Sequence, residues 1–363
     1  MKYRFLIDSN IPLLPEILDQ IGEVYKFEGR TLTNDIIRQS KANILLVRST
    51  TQVNQKLLNG TNIRIVGTAT SGSEHLDKEY LSLQGIIYFD AIGSNALSVA
   101  EYCMFCILNW AEENNINLKN KILGIIGYGN VGKRLATMAK HIGITVVIND
   151  PPLFENSPER LLNETHLEIN EIVQVSDILT NHVPLTLSGK YKTYNLLDYN
   201  LLEKVKEGAL LLHTSRGSVV CEKSWVQIAN SGKIKVVADV WMNEPNVSET
   251  AVSAAYISTP HIAGHSYDAK LRGSLMLAKE LERILQVKLD TSQLEIECNS
   301  NKKDVTKLSK DEIYNLLKNK RILETCQEFK KLASDKAIAN NFEKMRKEYP
   351  KIRECFYDFL FNL

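Results

Sequence analysis

The stretch "KILGIIGYGNVGKRLATMAKHIGITVVINDPP" (residues 121–152) carries the reading from which the rest follows. Its first seven residues are almost continuously apolar, the pattern of a strand buried on both faces. Gly127, Gly129 and Gly132 then form G-x-G-x-x-G where that strand passes into a helical stretch. The first glycine permits a tight turn, and the second lets backbone N–H groups approach a pyrophosphate. The third allows the helix to pack close to the strand, with its N-terminus facing the anion. Asn130 and Val131 lie between the glycines, on the helix's opening residues. A second apolar run, 144–150, ends on Asp150, about 20 residues downstream, where such folds carry an acidic residue. A carboxylate there accepts hydrogen bonds from ribose hydroxyls and repels a 2′-phosphate, so the expected cofactor is NAD rather than NADP. The alternative, an ordinary strand–turn–helix with packing glycines followed by a surface aspartate, is disfavoured by finding both parts at the expected spacing.

The same strand-and-helix alternation extends both ways. Upstream lie "YRFLID" (3–8), "NILLVRS" (43–49), "IRIVGTA" (63–69) and "IIYFD" (86–90). Downstream lie "DILTNHV" (177–183), "GALLLHT" (208–214), "KVVADVW" (235–241) and "YIST" (256–259). Doubly apolar strands alternating with helices imply parallel, doubly wound sheets. The expected class is α/β with two such domains: a flavodoxin-like substrate domain (1–94 and 265–285) and a Rossmann domain (95–264). Ser94 and Asn95 can cap a strongly apolar helix joining them. From 286 to 363 the sequence turns polar, charged and helical, which reads as a third, small domain.

Composition narrows the function classes. The 363 residues are 44% hydrophobic and 24% charged with a net charge of +1, giving no electrostatic case for nucleic acid or membrane partners. The N-terminal apolar run stops at Asp8, unlike a signal peptide, and no stretch approaches the length of a spanning helix. Six scattered cysteines suit a reducing compartment, so the cytoplasm is expected. Cys103 and Cys106 make a lone CxxC inside "AEYCMFCILNW", read as helix packing, and no metal site is expected.

Ligands of open α/β sheets sit outside the carboxyl ends of the strands. The second series places His182, Arg216, Asp239, Glu244 and His261 at such ends, around the glycine turn. Arginine can grip a carboxylate with two prongs and polarise a forming carbonyl. Histidine can accept a hydroxyl proton while hydride leaves the same carbon, and a carboxylate beside it fixes the ring and favours its charged form. "STPHIAGHS" (258–266) offers two histidines; Pro260 sets His261 at the strand end as the catalytic candidate. In the first series, Arg48, Ser49, Thr50 and the glycine-bearing "TATSGS" (68–73) could cup an anion, while His75 reads as structural.

"GYGNVGKRL", "HTSRGSVV", "DVWMNEP" and "TPHIAG" resemble the signatures of the D-isomer-specific 2-hydroxy acid dehydrogenases. "IDSNIP", "LVRSTTQVN", "VGTATSGSEHLD", "SNALSVAEY", "YKTYNLL" and "FEKMRKEYP" extend the likeness to one branch, covering essentially the whole chain. The resemblance implies NAD-dependent oxidation of a small phosphorylated 2-hydroxy acid and a homodimer formed through the C-terminal domain. It assigns Arg216, Glu244 and His261 to catalysis, with His261 as acid/base. Gly129, Asn130, Val131, Asp150, Asp239 and Gly264 would contact NAD, with Val183 at a cofactor-facing position, and Ser49, Thr70 and His265 would bind substrate; the glycine-turn reading adds Gly127 and Gly132 to the NAD contacts, and the strand-end reading adds Arg48 to the substrate set. The chain departs from the branch at His265, usually tyrosine, at Val183, threonine in some members, at Ser94, often cysteine, and at Met242-Asn243. Two alternatives stay open: a sister dehydrogenase of the family acting on another hydroxy acid, and a non-enzymatic NAD sensor on the same fold. The charges of residues 302–363 read as a solvated helical face. Ile313, Leu316, Leu317, Ile322, Phe356, Phe359, Leu360 and Phe361 are expected to seek burial against a partner subunit. Arg346 or Lys347 is expected to reach that neighbour's substrate cleft.

Overall fold

The computed structural model describes residues 3–361 and divides into two compact units. The first comprises the chain up to Asn95, Ser266–Lys302 and the segment from Tyr357 onward; the second comprises Ala96–His265 and Lys303–Phe356.

In the first unit, β1 (Tyr3–Asp8), β2 (Gly22–Phe27), β3 (Ile44–Val47), β4 (Ile65–Thr68) and β5 (Ile87–Asp90) form a parallel sheet in the order β2-β1-β3-β4-β5. This is the flavodoxin-like strand order. The inner strands β3 and β4 are buried along their full length, as doubly covered strands must be. Strand β2 was not apparent in the sequence. It is an edge strand with half-exposed polar residues, so its pattern lacks the apolar run that marks the others. The Tyr267–Leu285 helix closes one sheet face, with Leu271, Leu275 and Leu281 packed among Phe5, Ile7 and Leu46. Gly273 lets it approach, since a Cβ there would sit 2.8 Å from the Ala69 carbonyl oxygen.

The second unit is built on seven parallel strands: β6 (Ile122–Ile126), β7 (Thr145–Asn149), β8 (Thr165–His166), β9 (Ile178–Asn181), β10 (Ala209–His213), β11 (Ile234–Ala238) and β12 (Ile257–Ser258). Their order, β12-β11-β10-β9-β6-β7-β8, is the Rossmann arrangement with one added strand. The crevice opens where the order reverses, between β6 and β9. The Ala96–Glu113 helix is buried at every residue from Ala96 to Ala111, and includes both cysteines of the CxxC. Burial pushes the Cys103 thiol up to about 12, so it stays a thiol packed near Thr214.

The C-terminal residues, read from sequence as one domain, are shared between the units. Leu289, Leu294 and Cys298 join the first unit's core, where the Lys302 ammonium meets Asp268 at 2.6 Å with both side chains buried. The helices Lys310–Leu317, Ile322–Ser334 and Ile338–Glu348 belong to the second unit. There Ile313, Leu317, Ile322 and Phe356 are buried within this chain, not waiting for a partner, while Phe359 and Leu360 stay about half exposed. Lys320 also departs from the solvated-face reading. Its ammonium lies 2.8 Å from Glu101, with side-chain exposures of 5% and 0%. Among the described residues no helix is long and apolar enough to cross a membrane.

Candidate active site

The glycine turn is built as the spacing predicts. Gly127 has φ +91°, a left-handed conformation that disfavours any side chain. A Cβ on it would also press at 2.9 Å on the His182 carbonyl carbon and on Val183, which close over the turn from the end of β9. Gly132 lies against the turn, its missing Cβ only 2.3 Å from the Gly127 oxygen, so the third glycine serves helix–strand packing. Gly129 has open space where a side chain would be. Directly after it, Asn130 and Val131 open the helix whose N-terminal amides face that space. Asp150 turns its carboxylate back to the loop, accepting N–H bonds from Tyr128 at 2.8 Å and Leu153 at 3.0 Å. Each oxygen keeps a further acceptor site for a ribose hydroxyl. A cradle at Gly129 with room for a close-approaching group, a helix N-terminus directly after it and a carboxylate at the next strand end fit a dinucleotide. His182 is no acid/base candidate: desolvation pushes its ring down to about 3, and it shares a 3.0 Å hydrogen bond with Thr180.

Arg216, Asp239, Glu244 and His261 follow β10, β11 and β12, three successive neighbours in the sheet. Their carboxyl ends therefore open on one edge of the same crevice. Arg216 begins the turn after β10 and donates one bond to the Ser215 carbonyl at 2.9 Å. Beneath it, His213 bridges the Gly217 carbonyl at 3.2 Å and the Asn181 amide at 3.4 Å, and burial pushes its ring down to about 4. It is thus a neutral bracket for the arginine turn. Gly217 packs directly on the Trp241–Met242 peptide, tying the arginine turn to the loop that carries Glu244.

That loop and the next are joined by Asp239, which is 1% exposed. Its carboxylate accepts bonds from the Thr259 hydroxyl (2.6 Å) and the backbone amides of Ile262 (2.8 Å) and Ala263 (2.9 Å). Burial raises its pKa, opposed by the His261 charge and these three donors. The clamp brackets His261, whose φ of +55° is left-handed, a conformation a histidine keeps only when its surroundings over-determine it. His261 Nδ1 meets Glu244 at 2.8 Å. The other Glu244 oxygen accepts the Trp241 N–H at 2.9 Å. Burial pushes the Glu244 carboxyl up, but the His261 charge and hydrogen bond, the Trp241 amide and Arg346 together hold it below its usual value. With Nδ1 committed, Nε2 is the ring nitrogen left to exchange a proton.

Asp239 was read from sequence only as an NAD contact; its anchoring of the histidine loop was missed, as was the Thr259 hydroxyl behind it. A Ser-Thr-Pro-His run following an Asp-bearing strand end was the available signal. Gly264 lies half-exposed in the same loop. His265 stands with its ring 6.5 Å from Tyr349 of the C-terminal segment.

Arg48, Ser49 and Thr70 sit at the carboxyl ends of β3 and β4 in the first unit. Ser49 is exposed, and Arg48 and Thr70 are half-buried. The Thr70 hydroxyl is 2.8 Å from that of Thr68 and donates to the Gly72 carbonyl at 2.9 Å. Thr68 in turn meets Nε2 of buried His75 at 2.9 Å, so His75 is part of the strand-end scaffold.

Comparison with known proteins places this geometry. Residues 107–263 match the family model described as "D-isomer specific 2-hydroxyacid dehydrogenase, NAD binding domain". The chain is similar to an erythronate-4-phosphate dehydrogenase of Ruthia magnifica subsp. Calyptogena magnifica, 34% identical over 355 residues, covering 96% of this chain and 95% of the relative. A relative of the same name from Escherichia coli O7:K1 is 37% identical over 293 residues, 79% of this chain and 76% of its own. Among solved structures, NAD-bound 3-phosphoglycerate dehydrogenase of Entamoeba histolytica superposes with a TM-score of 0.65 at 21% identity, covering 79% of this chain and 96% of that one, a likeness of fold. The chain belongs to the erythronate-4-phosphate dehydrogenases, a branch of the D-isomer-specific 2-hydroxyacid dehydrogenase family.

Proposed function

We propose that the chain oxidises 4-phospho-D-erythronate at C2 to 3-hydroxy-2-oxo-4-phosphooxybutanoate, with NAD reduced to NADH, a step of pyridoxal phosphate biosynthesis. The observation that carries this reading is the 2.8 Å Glu244–His261 pair, held beside a dinucleotide cradle in a chain whose likeness to these dehydrogenases runs nearly end to end. NAD, when bound, supplies the hydride acceptor. Asp150, the Gly127–Gly132 turn and the Asn130 helix end would hold it, with Val183, Asp239 and Gly264 along the crevice.

The chain's own residues do the remaining work. Arg216 grips the substrate carboxylate and polarises the C2 oxygen. His261 Nε2 takes the hydroxyl proton as the C2–H bond breaks and its electron pair leaves as hydride, so that C2–O becomes a carbonyl. Glu244 favours the imidazolium so formed and keeps the ring in one orientation. Arg48, Ser49 and Thr70 bind the phosphorylated half, and His265 meets its distal portion. The C-terminal residues pair two subunits, which light scattering on the purified chain tests.

NADH absorbance with 4-phospho-D-erythronate tests the reaction. Turnover is expected in the native chain and its loss in His261→Ala. A substrate panel in which 3-phosphoglycerate is turned over faster would overturn the substrate assignment. NAD binding with no turnover of any hydroxy acid would overturn the enzyme reading.

A further inference from the structure

We propose that His166, on the edge strand β8, is a positioning residue for Asp150: its ring holds that residue's backbone so that the carboxylate faces the glycine turn, and the affinity for NADH and its preference over NADPH depend on it. The inference rests on the reading of Asp150 as the ribose-binding carboxylate. Consecutive residues of a strand turn their backbone groups to opposite neighbours. The Asn149 carbonyl accepts the Gly127 N–H at 2.8 Å on the β6 side, so the Asp150 N–H faces β8. That strand is only two residues long and pairs with β7 through Ile148 and His166. The next backbone acceptor beyond it, the Leu167 carbonyl, takes the Asn149 side-chain amide at 2.7 Å. His166 Nε2 serves in its place and accepts the Asp150 N–H at 3.1 Å.

The ring is itself held. Phe154, whose N–H donates to the Asp150 carbonyl at 2.9 Å, stacks on His166 with centroids 4.4 Å apart and planes 12° apart. Just before β8, Glu164 accepts the Tyr128 hydroxyl at 2.6 Å and pairs with Lys140 at 2.7 Å. Tyr128 is the turn residue whose N–H the Asp150 carboxylate accepts. The short segment 164–166 therefore grips both the backbone that carries the carboxylate and the turn that the carboxylate faces. Without an acceptor at position 166 the Asp150 N–H is stranded where β8 ends. It regains a partner only by turning its peptide toward water, and that rotation carries the carboxylate off the Tyr128 amide.

The test reads cofactor binding, not turnover. The full native chain and its variants are titrated with NADH and with NADPH by fluorescence, and Tm is recorded for each. His166→Phe keeps a ring against Phe154 but offers no acceptor; His166→Gln keeps an acceptor where Nε2 stands and gives up the stack. His166→Phe should weaken NADH roughly fivefold to tenfold, the worth of one hydrogen bond. NADPH should lose less, because a displaced carboxylate also repels the 2′-phosphate less, so the preference for NADH narrows. His166→Gln should stay within about twofold of native for both cofactors. In an Asp150→Ala background, where no carboxylate is left to aim, His166→Phe should cost nothing further. Native NADH affinity in His166→Phe, beside a weakened Asp150→Ala, overturns the inference alone. An equal loss for NADH and NADPH also overturns it, since that marks general loosening of the unit. Should His166→Phe fail to fold, His166→Ala carries the same expectations and the same refutation. Native NADH affinity in Asp150→Ala would overturn the ribose reading, and the inference with it.

Discussion

Replacing Glu101 by glutamine should show how the C-terminal helices are held to the NAD-binding unit. Glu101 is fully buried in the Ala96–Glu113 helix; one oxygen accepts the amides of Cys355 (2.8 Å) and Phe356 (3.0 Å), the other pairs with Lys320 at 2.8 Å. Burial pulls the Lys320 ammonium down, but Glu101, with Cys355 and Glu354, more than reverses this and keeps it charged. Glutamine preserves the shape and the acceptor for the two amides, but sets an NH2 against an ammonium that cannot reach water. Breaking a buried pair by removing one partner costs about 3–5 kcal/mol. For a unit of this size each kcal/mol moves Tm by about 2–4 °C, so a fall of roughly 6–20 °C is expected. Thermal unfolding followed by circular dichroism measures it. Glu101→Gln/Lys320→Met removes both the charge pair and the stranded cation, and should recover most of the loss. A double variant no more stable than Glu101→Gln alone would refute the reasoning, since the loss would then not arise from an uncompensated charge.

Glu244→Gln removes the carboxylate paired with His261 at 2.8 Å, so the acid limb of kcat/KM should move to lower pH, and an unmoved limb would contradict the pairing. Asp239→Asn turns a donor toward the Ala263 amide and should cost about 1–3 kcal/mol for the stranded N–H, seen as a lower Tm together with a fall in kcat as the His261 loop relaxes. Gly129→Ala should fold with near-native Tm yet bind NADH at least about tenfold more weakly by fluorescence titration, because its methyl enters open space meant for phosphate. Gly132→Ala should lose stability first, with its methyl against the Gly127 carbonyl.

Among the described residues, ten of the twelve strands were legible because a strand covered on both faces is apolar along nearly its whole length, as 44–47 and 209–212 are. The two missed, Gly22–Phe27 and Thr165–His166, are sheet edges, where solvent on one side dilutes that pattern. The candidate residues after β10, β11 and β12 were legible because parallel strand order sends chemistry-bearing side chains to one end of the sheet. What supports them was not. The Asp239 clamp, the His213 bracket and the Trp241 amide depend on loop geometry that no periodicity encodes. Lys302 and Lys320 misled for a different reason: a lysine among mixed charges reads as solvent-facing unless its buried carboxylate, here more than thirty or two hundred positions away, is already known.

The contact at Gly217 bears on how such a chain could be altered to accept a different acid. The nearest atom to a methyl placed there would be the Trp241 carbonyl oxygen, at 1.9 Å, followed by that residue's carbonyl carbon at 2.1 Å. Backbone, unlike a side chain, has no rotamer by which to step aside. The turn that carries Arg216 and the loop that carries Glu244 are therefore mechanically one part, and neither can be re-aimed without the other. On the proposed assignment, redesign of specificity has its freedom elsewhere, in the first unit's strand tips around Ser49 and Thr70, whose own packing does not involve this contact.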